Sequence, residues 1–237
     1  MGDVDPLVRI LASIIAEGGA SAPLRICQAC VAELPVDGAA ITMMTDAYRQ
    51  EPLCATDELA SELDQLQFSL GEGPCVEALT SGSPVLVSDM ADSTTDRWPI
   101  FATKVRHTRA RALYVFPLQL GTIKVGVLNL HRVVQGPLLP EQLTGALRAA
   151  DAALWILLGH RAGGTLDNDG SSQWTSGYPL HRAEVHQATG MIMAQANVSA
   201  EAAVAMLRAS AFANDRPIDE VAQDVVARRL RFEEGPR

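Results

Sequence analysis

The chain has 237 residues, 48% hydrophobic and 20% charged, enough apolar material for one large core or two smaller ones. Its formal net charge is −9: residues 1–177 carry 12 Lys/Arg against 20 Asp/Glu, and residues 178–237 carry 7 Arg against 8 Asp/Glu. The first part therefore repels nucleic acid, whereas the second, whose cations are all arginine, escapes much of that penalty. No apolar run reaches the roughly 18–20 residues of a membrane span. The opening Met1-Gly2-Asp3-Val4-Asp5 is acidic where a secretory signal is basic, so the cytoplasm is the expected compartment.

In chain order, residues 4–16 and 24–34 have helical apolar spacing. Residues 38–44 and 52–55 are expected strands, and 58–66 a helix. Gly73-Pro74 opens another short helix, with proline early in its first turn. Residues 84–90 alternate as a strand, and 97–107 form a helix. Two β-rich runs, 112–120 and 122–132, flank Gly121 as a hairpin. A long helix over 140–161 then closes the unit, with Leu143, Leu147, Ala150, Leu154, Leu157 and Leu158 on one side. Strands bracketed by helices indicate an α+β domain with an antiparallel sheet over residues 1–160.

Residues 161–177 are rich in Gly, Ser, Asn and Asp without periodicity, the composition of a linker. Beyond it, over 178–237, everything reads as helix: 180–196, 200–213 and 218–232. Ser199 is placed to cap the second and Pro217 to start the third. Val204, Leu207 and Ala211 make one apolar stripe, and Ile218, Val221 and Val225 another, so an all-α three-helix bundle is expected. Gly190 inside the first helix costs about 1 kcal/mol against alanine, which suggests close approach of a helix or ligand.

The four cysteines are Cys27, Cys30, Cys54 and Cys75. No second CxxC and no histidine at zinc-finger spacing accompany Cys27-x-x-Cys30, so buried packing is expected rather than metal. His107 and His131 are single histidines, for which a structural place is expected ahead of haem ligation.

Glu184-Val-His-Gln-Ala-Thr-Gly-Met-Ile-Met193, Ser199-Ala-Glu-Ala-Ala203, Leu207-Arg208, Ala211, Pro217-Ile218 and Val221-Ala222 resemble the ANTAR domain. The resemblance implies RNA binding in transcription antitermination; many members carry Lys where this chain has Thr189. The RNA contacts expected here are Arg182, Thr189, Gly190, Arg208, Arg216, Arg228, Arg229 and Arg231, the last three sharing one helix end; for Arg208, Arg216, Arg228, Arg229 and Arg231 the alternative is a solvated basic face. Phe68-Ser-Leu-Gly-Glu-Gly-Pro-Cys-Val-Glu-Ala-Leu79, followed by the strand at 84–90, a helix with Trp98-Pro99 and the Gly121 hairpin, resembles the GAF domain, a sensory α/β fold. Its implied ligand pocket would be walled by Phe68, Leu70, Cys75, Trp98, Phe101, Val115, Pro117 and Val127, against the alternative of a filled core. Nothing in the sequence names the ligand or a cofactor.

The expected function is a signal-responsive regulator that binds RNA hairpins as a homodimer. One alternative is a DNA-binding regulator, which the apolar and acidic Ile218-Asp219-Glu220 opposes. The other is a methionine sulfoxide reductase, which needs a reactive thiolate and a resolving partner. Cys75, near a helix start, is its candidate, but the remaining cysteines do not reproduce that pattern.

Overall fold

The computed structural model of the chain describes residues 5–44, 46, 48–91, 97–163 and 182–232. Two helices come first, α1 (Pro6–Glu17) and α2 (Ala22–Glu33). Asp5 caps α1 by accepting from the Leu7 N–H at 3.1 Å, and Leu7, Leu11 and Ile14 give that helix its buried stripe. The strands are β1 (Gly38–Met44), β2 (Gln50–Ala55), β3 (Val85–Val87), β4 (Ala112–Leu120) and β5 (Ile123–Arg132). They form one antiparallel sheet in the order β2-β1-β5-β4-β3. The β4–β5 hairpin pairs Leu120 with Ile123 around Gly121, and β1 lies on β5 with Gly38 opposite His131 and Met43 opposite Gly126. At Gly126 the strands come so close that a Cβ would stand 2.3 Å from the Thr42 carbonyl oxygen.

Side-chain alternation splits the core into two layers. On one face Ile41, Tyr114, Phe116, Leu128 and Leu130 pack under α1, α2 and α6 (Pro140–Gly163). On the other, Met44, Leu113, Val115 and Val127 pack under α3 (Glu58–Leu70), α4 (Pro74–Ser81) and α5 (Pro99–Val105). In α6 the buried stripe is largely alanine: Ala146, Ala149, Ala150 and Ala153, with Leu154 and Leu157. Leu147, expected inside, is exposed. Small residues let this helix sit close on its neighbours; a Cβ on Gly145 would lie 3.0 Å from Leu34 and 3.2 Å from Leu7.

The C-terminal helices are α7 (Ala183–Ala196), α8 (Ala200–Ala213) and α9 (Ile218–Val226). Asn197, in the left-handed region at φ 52°, stops α7, and the Ser199 hydroxyl caps α8 by accepting from the Ala202 N–H at 3.2 Å. Val185, Ala188, Ile192, Leu207, Ile218, Val221 and Val225 form the bundle core, joined by one residue of the other domain, Phe68. The third helix ends six residues before the expected 232. Arg228 turns left-handed at φ 60°, and the Asp224 carbonyl accepts from the Arg229 and Leu230 N–H groups. Most of the expected linker, residues 164–177, lies outside the described residues; residues 161–163 belong to α6.

Candidate functional site

The residues singled out for ligand binding part into two groups. Cys75, Trp98, Phe101, Val115 and Val127 pack on one another beneath the sheet, with Trp98 and Phe101 edge to face at 6.2 Å between ring centroids. They fill that space as core. Leu70 is half-buried at its margin, and Pro117 is half-buried opposite Val127 on the hairpin. The Cys75 thiol donates to Asn129 Oδ1 at 3.0 Å, and burial first, then Asp64, pushes its pKa well up. Cys30 is pushed up to about 12 by burial, and the buried Cys27 sulfur lies 3.6 Å from that of Cys54. Cys27, Cys30 and Cys75 stay protonated at neutral pH, contrary to the helix-start argument for Cys75: full burial outweighs any help from the α4 terminus. His131 is buried with Nε2 3.4 Å from Asp57 Oδ2, and its pKa is lowered because burial outweighs that carboxylate. His107 is exposed.

Phe68 belongs elsewhere. It lies near the end of α3, fully buried in the core of the C-terminal helices. Over it lies Arg182, which has 0% exposure. The guanidinium carbon is 3.7 Å from the Phe68 ring centroid; Nη2 donates to Asp64 Oδ2 at 2.7 Å and Nη1 to the Gln50 carbonyl at 2.9 Å. Asp64 is itself buried and accepts from the Thr42 hydroxyl at 2.5 Å. Removing one partner of a pair like this costs about 3–5 kcal/mol if the other charge stays buried.

Arg208 on α8 approaches the same ring. Its Nε donates to the Phe68 carbonyl at 2.9 Å, and its guanidinium carbon is 5.4 Å from the ring centroid, within cation–π range. Gly71 makes this possible. It ends α3 in the left-handed conformation, φ 68°, and a Cβ there would stand 2.5 Å from Arg208 Nη1. Burial, and then the facing Arg182, lower the Arg208 pKa to about 10, so Arg208 remains charged at neutral pH. Around this centre Gln65 Nε2 donates to Asp219 Oδ2 at 2.8 Å, and His186 meets Glu51. None of α7, α8 and α9 packs extensively on an element of the N-terminal domain; side chains make the joint.

The other residues named as RNA contacts are distributed differently. Thr189 is buried, its hydroxyl donating to the Val185 carbonyl at 2.7 Å. Gly190 is exposed, and a Cβ there would meet nothing within 4 Å, so no close helix contact explains the glycine. Arg216 and Arg229 are exposed and share the Asp224 carboxylate at 2.7 and 2.6 Å. Arg228 and Arg231 are exposed and make no ion pair among the described residues. Because α9 stops at Val226, Arg228, Arg229 and Arg231 line a turn and its exit rather than a helix end.

A cavity of about 390 Å³ opens beside the buried pair, between β1, β2 and α3, with Thr42, Pro52, Ser61, Asp64 and Gln65 in its wall and Asp219 of α9 across it. Its position, toward the β2 edge and against the C-terminal helices, was not anticipated. No sequence pattern marks a space shared by two segments over 150 residues apart.

A family model for the GAF domain matches residues 24–157, and one for the ANTAR domain matches residues 180–226. The chain is a GAF–ANTAR protein. The N-terminal fold is similar to the GAF domain of a phosphoenolpyruvate-protein phosphotransferase from Acinetobacter, at TM-score 0.56 and 14% identity over 70% of this chain and 100% of that one. It is likewise similar to the corresponding domain from Coxiella burnetii, at TM-score 0.51 and 15% identity over 66% and 95%. At such identities the likeness is one of fold. No curated protein matches the chain in sequence. Within the stretch Phe68 to Pro74, Phe68 joins the core of the ANTAR helices and Gly71 clears room for Arg208.

Proposed function

We propose that this GAF–ANTAR protein is a signal-responsive RNA-binding regulator acting in transcription antitermination, with the ANTAR helices gripping RNA hairpins. The observation that carries the reading is the ANTAR match over 180–226, lying on a small bundle that leaves Arg228 and Arg231 exposed and without an ion pair among the described residues. Unpaired loop bases are the part of RNA that side chains read, and arginine is suited to the phosphates that flank them. Stabilising one hairpin over a competing terminator changes transcription downstream. The GAF domain acts as the sensor, and the 390 Å³ cavity beside Asp64 is the place for a small molecule to enter. Two copies act together: Trp155 and Leu147 on α6 and Ile15 on α1 are exposed apolar side chains suited to a homodimer, which doubles the RNA-binding units and raises avidity.

The test is sequencing of RNA that co-purifies with the intact protein, beside the same protein carrying Arg228→Ala, Arg229→Ala and Arg231→Ala. Hairpin RNAs enriched by the first and depleted by the second are expected. No enrichment over an unrelated acidic protein contradicts the reading.

A further inference from the structure

We infer that the GAF domain holds the ANTAR helices in a closed state in which RNA is excluded, with Phe68 and Asp64 as the latch. This deepens the RNA-binding reading and rests on it.

The geometry carries the inference. Arg182 and Arg208, both singled out as RNA contacts, converge on one phenylalanine of the sensor domain. Nη1 and Nη2 of Arg182 are committed to the Gln50 carbonyl and to Asp64, and the guanidinium has no exposed surface to offer a phosphate. Arg208 gives its Nε to the Phe68 carbonyl and packs against Gly71, where a side chain would collide with it. An RNA phosphate cannot reach Arg182 while that seat is occupied. Docking and RNA contact are thus mutually exclusive uses of the same atoms.

The closed state is also built to open. Two guanidinium groups face one ring, the buried Asp64 carboxylate is paired with Arg182, and burial, then the facing Arg182, lower the Arg208 pKa. Further contacts across the joint among the described residues, Gln65 to Asp219, His186 to Glu51 and a 3.7 Å pair of exposed Lys104 with Asp215, are polar. Joints of this kind between domains of one chain allow relative motion. Release exposes both arginines together and hydrates Asp64. By linkage, anything that loosens the latch raises RNA affinity, and RNA loosens the latch by the same factor.

The test uses the full chain and, as probe, a pool of RNA hairpins with randomised loops. Asp64→Asn keeps an acceptor for Thr42 but removes the charge that holds Arg182; Asp64→Asn with Phe68→Ala removes the seat as well. Both are expected to bind the hairpins at least about tenfold more tightly than the wild type, with unchanged circular dichroism. A converse variant guards against misfolding. Gln65→Cys with Asp219→Cys, joined by a short bismaleimide, locks the domains closed; the four native cysteines are buried. Locking is expected to weaken hairpin binding at least about tenfold relative to the same protein before crosslinking. Equal affinity of locked and unlocked protein overturns the latch, as does equal affinity of the wild type and a folded Asp64→Asn/Phe68→Ala variant. In those cases RNA binding itself stands. If neither the wild type nor the folded open variants bind any hairpin, the RNA-binding reading fails, and the latch as a control of RNA falls with it.

Discussion

At the scale of single residues, charge is placed where its surroundings decide its use. Arg182 was legible as a cation near a helix start, but its partner Asp64 lies 118 residues earlier, and no local pattern announces such a pair. Cys75 shows the same limit: its neighbours in sequence favour a thiolate, whereas its neighbours in space bury the thiol against Asn129. His131 offers a direct check on burial. Its lowered pKa means that the fold prefers the neutral ring, so the native state binds fewer protons than the unfolded chain. Stability from this source is present above the ordinary histidine value of about 6.5 and lost as pH falls through it. The thermal midpoint of the protein is expected to drop more between pH 7 and pH 5 than that of His131→Gln. Parallel pH profiles of the two proteins contradict this.

At the scale of elements, β1, β4 and α8 fall where alternation, helical stripe and cap place them. The cap and stripe of α8 set its expected sensitivities. Ser199→Ala removes an acceptor from the Ala202 N–H and is expected to cost about 1 kcal/mol. Leu207→Ala empties a fully buried site and is expected to cost about 2–5 kcal/mol. Denaturant titration followed by circular dichroism reads both; a loss at Leu207 no larger than at Ser199 contradicts the packing described. Less legible were the edges and faces that distant contacts decide. The run Ala227-Arg-Arg-Leu-Arg-Phe232 has helical composition, yet the chain leaves the helix at Arg228, where the Asp224 carbonyl and carboxylate gather the turn. In α6 leucine spacing suggested the buried side, but close approach to Leu7 and Leu34 selected the alanines. The Gly121 hairpin was visible in sequence, whereas the pairing of β1 with β5, which completes the sheet, joins segments more than 80 residues apart.

At the scale of the whole molecule, both domains could be read from their motifs, but the joint between them could not. Phe68-Ser-Leu-Gly-Glu-Gly-Pro74 is the most recognisable stretch of the GAF domain, and its natural reading is a pocket wall. In the structure Gly71 clears room for Arg208, the Glu72 carboxylate caps α5 by accepting from the Phe101 N–H at 2.6 Å, and Phe68 plugs the ANTAR core. The segment thus ties the sensor's own packing to the position of the ANTAR helices. On the proposed reading, a ligand that alters the end of α3, or the cavity beside Asp64, would act on the output domain through one side chain's distance.

That coupling makes Phe68 itself the most direct reporter. Hydroxyl-radical footprinting of the unmodified full chain, with and without saturating hairpin RNA, measures whether this ring meets solvent. It is fully buried in the closed state. The expected result is protection of Phe68 from oxidation without RNA and oxidation that rises in step with RNA occupancy. RNA that saturates the protein while Phe68 stays protected contradicts the claim that sensor and RNA compete for the same arginines.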